Sequence, residues 1–388
     1  MRRVLKILFR VLALLVIVAV VAGIWKREEI TRLLAVNSLF TEEKIVGNFS
    51  NMNKAFLTRD VDRGSGPVSD IPQGETMQLP QGADAWIRDR SVTALVVLKD
   101  GAMRHESYHL ETSAEDRRIS WSVAKSFLSA LYGIIHTEGK IASLDDPVTK
   151  YAPGLKGTAY DDTTVRNVLN MASGVEFDED YLDYNSDINR MGREIALGGT
   201  MDGFTRALKD KFIAPGKQWQ YVSIDTHVIG MVIRGATGRD IPDLLSEKVI
   251  APLGLEATPY YITDGEGVAF VLGGLNLRTR DYARFGQMFL DGGRYGGQQV
   301  VPQDWVSAST QPSAPTAPGK IGYGFQWWIP IGATEGEYLA RGVYGQYIYI
   351  NQPAGVVIAV NAADRQFREP GMHASNVAMF RQITQALQ

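Results

Sequence analysis

The sequence contains no cysteine, which excludes a disulfide scaffold, a thiol nucleophile, an iron–sulfur cluster and every cysteine-based zinc site. It also lacks a strong net charge: the formal value is −3 over 388 residues. A nucleic-acid-binding domain is normally basic, so no nucleic-acid partner is expected. No G-x-S-x-G segment occurs, which argues against a nucleophile-elbow hydrolase. Any catalytic chemistry must come from other groups.

The overall composition is that of a globular protein, with 45% hydrophobic and 21% charged residues. The length is suited to one large domain or two closely packed ones. The chain has 39 glycines, more than the usual share of about 7%. This excess indicates many tight turns and therefore a substantial β-sheet.

The charge is distributed unevenly, because residues 1–32 hold seven basic and two acidic residues while the remainder holds 33 and 41. Basic residues flank an apolar run at 11–25, which reaches bilayer length when its apolar neighbours are included. We expect residues 1–30 to be an uncleaved signal anchor that holds a periplasmic domain on the inner membrane, since the basic flank stays cytoplasmic. The alternatives are a cleaved signal peptide that releases the protein into the periplasm, and a soluble amphipathic helix.

The order of the predicted elements indicates the fold class. Residues 31–82 are interpreted as a connector that wraps onto a domain at 83–388. A hairpin with an Asp-Gly turn is predicted at 92–110, followed by a helix from Ser120. Residues 141–295 are expected to be loops and helices, and strands are predicted at 323–329, 346–350 and 356–360 before a final helix with Val377, Phe380, Ile383 and Leu387 on one face. We therefore predict an α/β fold of the α+β type: an antiparallel sheet formed by both chain ends, with flanking helices and an inserted, mostly helical subdomain at about 141–295.

One motif suggests a metal site. His105 and His109 belong to an H-E-x-x-H string, which is typical of zinc proteases when it lies on a helix. Here the string follows the Asp-Gly turn and continues a predicted strand, in which four residues span about 13 Å. Two ligands that far apart cannot share one zinc ion, so we expect a strand and no metal.

Ser122 and Lys125 form an S-x-x-K motif at the start of the predicted helix. Residues i and i+3 lie on one helix face, so the Lys125 side chain can reach the Ser122 hydroxyl and activate it as a nucleophile. Alone, such a motif is more often a capping serine with a surface lysine. Tyr221 begins a Y-x-S segment before another predicted helix, and an adjacent Lys125 ammonium would favour its phenolate. A glycine-bearing segment at 340–346 opens a later strand and can offer a main-chain N–H to an oxyanion.

In this order, the three motifs resemble the serine β-lactamase and penicillin-binding protein superfamily. The similarity is greatest to the class C β-lactamase-like branch that contains 6-aminohexanoate-dimer hydrolases and related esterases. It covers roughly residues 83–388 and includes further segments at 144–148, 164–169, 171–174, 273–275 and 323–328. The resemblance implies that Ser122 is the acylated nucleophile, Lys125 its activating partner and Tyr221 a proton shuttle. The implied oxyanion hole uses the backbone N–H groups of Ser122 and Val343, or that of Gln346 if the strand register is shifted.

The sequence also departs from the family pattern. The Y-x-N of many relatives is Y-x-S here, at Ser223, and the basic residue that opens the third motif is Ala340. That basic group holds a substrate carboxylate in relatives acting on β-lactams or cell-wall peptides, so efficient β-lactam hydrolysis is doubtful. Arg341 is a possible substitute, although neighbouring residues on a strand face opposite ways.

These observations predict a cofactor-free and metal-free serine hydrolase that cleaves a small-molecule ester or amide. A penicillin-binding peptidase acting on cell-wall peptides, a β-lactamase and a non-catalytic binding protein are the alternatives. The acidic residues 178–180 and 183 are read as a solvated loop, or else as a preference for an amine-bearing substrate. The predicted substrate-binding residues are Tyr181, Ser223, Trp327, Arg341 and Tyr344.

Overall fold

A computed structural model describes residues 2–388. Its α-helices are α1 (Arg2–Trp25), α2 (Arg27–Asn37), α3 (Ile45–Phe49), α4 (Ala83–Asp89), α5 (Ala124–Thr137), α6 (Val148–Tyr151), α7 (Val165–Leu169), α8 (Asp187–Ala196), α9 (Met201–Ala207), α10 (Ser223–Thr237), α11 (Ile241–Leu245), α12 (Ala251–Leu253), α13 (Thr279–Leu290), α14 (Gln303–Ser309) and α15 (Met372–Gln385). Its strands are β1 (Leu57–Asp60), β2 (Val92–Lys99), β3 (Ala102–Tyr108), β4 (Arg118–Ile119), β5 (Tyr260–Thr263), β6 (Leu275–Leu277), β7 (Arg294–Tyr295), β8 (Gln298–Gln299), β9 (Gly322–Tyr323), β10 (Trp328–Ile329), β11 (Glu337–Gly342), β12 (Gln346–Asn351) and β13 (Val356–Ala362).

The main sheet has seven antiparallel strands in the order β3-β2-β13-β12-β11-β10-β9. Strand β2 from the early part of the domain pairs with β13 near its end, so both ends of the domain build one sheet. The predicted fold class is therefore confirmed. The predicted hairpin is present as β2 and β3, and the H-E-x-x-H string lies at the end of β3. His105 and His109 both contact the Ser107 hydroxyl, at 3.0 Å from each ring.

The two faces of the main sheet pack against different layers of helices. Val96 and Leu98 of β2 belong to one hydrophobic cluster, which includes α5 and α13. Leu95 and Val97 belong to the other, which contains α4 and the predicted face of α15. This alternation follows from the two-residue period of a strand. The S-x-x-K motif at the start of α5 and the third motif at the end of β11 thereby lie on buried elements.

A second, smaller sheet corrects the expectation that residues 141–295 form only loops and helices. Its order is β1-β5-β6-β4, so β5 and β6 from that region pair with β1 of the connector and with β4. Strand β5 is short and buried along its whole length, and such a strand carries no alternating pattern that distinguishes it from a buried helical segment.

The prediction of one continuous strand at 323–329 is also wrong. The segment forms two short antiparallel strands, β9 and β10, joined by a tight turn. Gln326, at the turn, has a positive φ of 69°. The turn places Trp327 in the core, fully buried against Phe289 at a ring-centroid separation of 4.5 Å, while Trp328 faces the opposite side.

Helix α1 is long and apolar enough to span a membrane, and its most apolar window is not buried by the rest of the described chain. A signal sequence would have the same character. One residue, Lys26, separates α1 from α2, whose Arg32 side chain donates a hydrogen bond to the Ala196 carbonyl oxygen at 3.0 Å. The segment after α1 is therefore attached to the domain.

Candidate active site

Ser122 lies in a single 3₁₀ turn, Trp121–Val123, that leads directly into α5. Trp121 has a positive φ of 42°, an unusual conformation for a bulky residue. Ser120, at which the predicted helix begins, makes no capping hydrogen bond. The sharp turn presents Ser122 at the floor of a cleft, where it lines two adjoining cavities.

Lys125 follows one turn later and is 2% exposed. Its Nζ donates hydrogen bonds to the Ser122 Oγ at 3.1 Å and to the Leu272 carbonyl oxygen at 2.5 Å. Burial lowers the Lys125 pKa to about 7, and the negative charge of Glu179 opposes this shift. A lysine with this pKa is partly neutral at neutral pH and can accept a proton from Ser122.

Tyr221 comes from the loop before α10, and its ring lies 5.5 Å from the Lys125 Nζ. The same ring stacks on Trp328 at a centroid separation of 5.1 Å. Burial is the largest cause that raises the Tyr221 pKa, the Glu179 charge adds to it, and interaction with Ser122 acts in the opposite direction. The expected phenolate is therefore wrong: Tyr221 is a neutral hydroxyl that can both donate and accept a proton.

Glu179 is the residue of the site that sequence reasoning missed. Its carboxylate accepts hydrogen bonds from the Tyr181 and Ser223 hydroxyls and from the Ser223 backbone N–H, the last at 2.9 Å. Burial raises the Glu179 pKa, while the Lys125 charge lowers it. The acidic stretch was interpreted as a solvated loop, and for Glu179 that is wrong. The only sequence signal for this role was the pair of hydroxyl residues at 181 and 223, which can both donate hydrogen bonds to a carboxylate.

Strand β11 brings the third motif against Ser122. Gly342 lies so close to the Ser122 turn that an added Cβ would be 2.7 Å from the Ser120 carbonyl oxygen and 3.1 Å from the Ser122 backbone nitrogen. The next residue, Val343, lines both cavities beside Ser122. Gln346 does not: its side chain is buried and donates to the Ala362 carbonyl oxygen at 2.7 Å.

One of the two cavities, which we call the polar cavity, has a volume of about 510 Å³ and is lined by Ser122, Glu179 and Tyr221. Arg341 also lines it, with its guanidinium 5.3 Å from the centre of the Trp328 ring. Within residues 2–388 it has no salt-bridge partner. His373 lines the same cavity, and burial, aided by the Arg341 charge, lowers its pKa to about 3. Arg368 lines the same cavity but pairs with Asp180, so Arg341 is the arginine of this cavity that has no salt bridge among the described residues.

The predicted substrate-binding residues divide into two groups. Tyr181, Ser223, Arg341 and Tyr344 all line the cleft, whereas Trp327 does not. The prediction that Trp327 lines the cleft is wrong. Its neighbour Trp328 lines the cavity instead, because of the turn between β9 and β10. Ala340, at the position of the missing basic residue, is buried away from the cleft, which explains why Arg341 faces it.

The chain is similar to several known proteins. A family model described as beta-lactamase matches residues 83–378. A 6-aminohexanoate-dimer hydrolase from Paenarthrobacter ureafaciens is 29% identical over 288 residues, which cover 70% of this chain and 72% of that protein. A D-aminopeptidase from Brucella anthropi is 28% identical over 171 residues, 42% of this chain and 31% of that protein. A solved structure named for a 6-aminohexanoate-dimer hydrolase from Bacillus anthracis has a TM-score of 0.79 at 23% identity, and covers 90% of this chain and 96% of that one.

Proposed function

The chain belongs to the beta-lactamase family and is a serine hydrolase, and on this premise we propose that it cleaves an ester or amide through an acyl-enzyme on Ser122. One observation carries the proposal: the buried Lys125 Nζ lies 3.1 Å from the Ser122 Oγ and has a pKa lowered to about 7. A serine becomes nucleophilic when a neighbouring base takes its proton, and Lys125 is a base of suitable strength in contact with it.

In the acylation step, Lys125 takes the Ser122 proton as the Oγ attacks the substrate carbonyl carbon. The negative charge on the carbonyl oxygen is stabilised by the backbone N–H groups of Ser122 and Val343. The close approach of Gly342, the residue before Val343, to the Ser122 backbone nitrogen supports this assignment. Tyr221 passes a proton to the departing alcohol or amine and takes a replacement proton from the Lys125 ammonium. Water then attacks the acyl-enzyme while Lys125 accepts its proton, and that proton passes to the Ser122 Oγ as the acid is released.

Glu179 acts as a positioning residue in this scheme. It fixes Tyr181 and Ser223 by hydrogen bonds, and its charge raises the pKa of Lys125 against the effect of burial. Without that charge, Lys125 would be a weaker base.

Arg341 is proposed to bind a carboxylate on the substrate. It lines the polar cavity with Ser122 and has no acidic partner within residues 2–388. A charged hydrogen bond of this kind contributes about 1.5–3 kcal/mol. A carboxylate-binding Arg341 also favours a second candidate function, a membrane-anchored peptidase or β-lactamase, because substrates of these enzymes carry a carboxylate.

We also propose that α1 remains as an inner-membrane anchor, with the hydrolase domain in the periplasm. The basic residues before the apolar helix favour a cytoplasmic N-terminus, and α2 ties the segment after α1 to the domain. A protein released by signal cleavage is the alternative.

Hydrolysis assays on the full chain test the proposed function. The substrates are a short-chain ester, a linear amide and a chromogenic cephalosporin, each assayed with the wild type and with Ser122→Ala. We expect ester or amide hydrolysis that Ser122→Ala abolishes; activity that persists in Ser122→Ala would contradict the mechanism. Stable acylation by a labelled penicillin, with little ester hydrolysis, would instead favour the penicillin-binding alternative.

A further inference from the structure

Ser122 also lines a second cavity, of about 270 Å³, which we call the apolar compartment. Arg341 does not line it, and the two cavities share Ser122, Tyr181 and Val343. The cleft is therefore divided into a polar side and an apolar side that meet at the reacting serine.

One wall of the apolar compartment comes from the connector. Leu39, Phe40 and Phe56 line it, although the family model matches only from residue 83. Phe40 stacks on Tyr344 at a ring-centroid separation of 4.9 Å and an interplanar angle of 10°. This contact fixes the connector against the turn that follows Gly342, so the wall is built onto the active site.

Helix α8 supplies part of the opposite wall. Ile188 and Ile195 face the cavity, and between them Gly192 leaves open space, since an added Cβ would have no atom within 4 Å. The loop residues Phe270 and Leu272 line the cavity beside the Lys125 contact. Most of the lining is apolar, although Asn37, Asn189, Arg193 and Ser223 also contribute to it. The apolar surface favours burial of methylene groups.

We propose that the apolar compartment binds the acyl chain of the substrate, so that the preferred substrates are esters or amides of medium-chain or longer aliphatic acids. The inference rests on the proposed function, because it takes Ser122 as the atom that receives the acyl group. Each methylene that enters the compartment is expected to raise kcat/KM about fourfold until the space is filled.

The position of α2 suits such a substrate. Val36 and Asn37, in its last turn, line the compartment, and α2 starts two residues after the apolar helix α1 ends. At 1.5 Å per residue, the 11 residues of α2 measure about 16 Å. An amphiphilic substrate leaving the membrane surface would thus reach the compartment over a short distance.

A chain-length series of p-nitrophenyl esters, from acetate to dodecanoate, tests the inference on the full chain in detergent. The readout is the ratio of kcat/KM for octanoate to that for acetate. We expect a ratio of at least about tenfold for the wild type, since several methylenes are buried. Gly192→Leu fills the cavity from an open helical position, where leucine is also a better helix former than glycine, and it should lower the ratio at least fivefold.

The matched control is Gly47→Leu, because Gly47 is also a helical glycine with open space around its Cβ position but is exposed outside the cleft. It should leave the ratio unchanged. A wild-type ratio near one, or a ratio in Gly192→Leu equal to that of the wild type, would overturn the inference. In either case, acetate hydrolysis that depends on Ser122 would still support the proposed function. If no ester is hydrolysed and Ser122 takes no acyl group, both proposals fail.

Discussion

The Lys125 Nζ lies 3.1 Å from the Ser122 Oγ and also donates to the Leu272 carbonyl oxygen, in a position that is 2% exposed. The carbonyl holds the amine in place, and burial disfavours its charged form. The pair is thus a nucleophile with a base already in hydrogen-bond contact. Its properties lead to the following expectations.

The first expectation concerns pH. Because the protonated form of Lys125 cannot accept the Ser122 proton, kcat/KM should rise with pH through an apparent pKa of about 7 and then level off. Replacing Glu179 by Gln removes the negative charge that raises this pKa, so the acid limb should move to lower pH. Rate profiles from pH 5 to 9 with an uncharged ester measure the shift.

Glu176→Gln is the control for that profile, since Glu176 is exposed and lies three residues upstream. It should reproduce the wild-type curve. A profile for Glu179→Gln that coincides with the wild type, or that moves to higher pH, would contradict the assigned role of Glu179.

Tyr221→Phe removes one hydroxyl while the ring can keep its stacking on Trp328. If the hydroxyl transfers protons, kcat should fall by about 10²–10⁴ with little change in KM. Tyr323→Phe is the comparison, because the Tyr323 hydroxyl is buried without a hydrogen-bond partner in the described chain. Equal kinetics of the two variants would argue against a proton-transfer role for Tyr221.

Arg341→Gln tests recognition of a carboxylate. The wild type should prefer a substrate that carries a carboxylate over its neutral methyl ester, and Arg341→Gln should reduce that preference by about tenfold or more. Arg365→Gln removes an exposed arginine that pairs with Glu42 and should have no effect. A preference that survives in Arg341→Gln would place the carboxylate elsewhere.

The anchor is tested on the protein expressed from its full-length gene. We expect it in the membrane fraction, extractable by detergent but not by high salt, with a peptide from residues 11–25 still present by mass spectrometry. Recovery of a soluble periplasmic form that lacks the apolar run would show a cleaved signal peptide instead.

Much of the fold follows from local sequence patterns, as the β-branched run of β2 and the single apolar face of α15 illustrate. In both elements the apolar residues recur with a spacing that can be seen in the sequence. Strand β5 carries no such signal, since its residues are all buried and its partners β1 and β6 are distant in the chain. Pairings of that kind are decided by tertiary packing.

The same distinction applies to the site. Ser122 and Lys125 share one helical turn, so their contact follows from spacing alone. Glu179 reaches Ser223 across 44 residues, and its burial depends on a loop whose sequence is that of a solvated surface. The tryptophan that lines the cleft is Trp328 and not the predicted Trp327. The turn before them contains Gln326, whose positive φ no sequence pattern predicts.

The most direct test of the central claim is the mass of the protein after reaction with a fluorophosphonate probe. The account predicts a single adduct, located on Ser122 by peptide mapping, which forms faster as pH rises through about 7 and is lost in Ser122→Ala. A folded wild-type protein that takes no adduct, or an adduct on another residue that persists in Ser122→Ala, would contradict it.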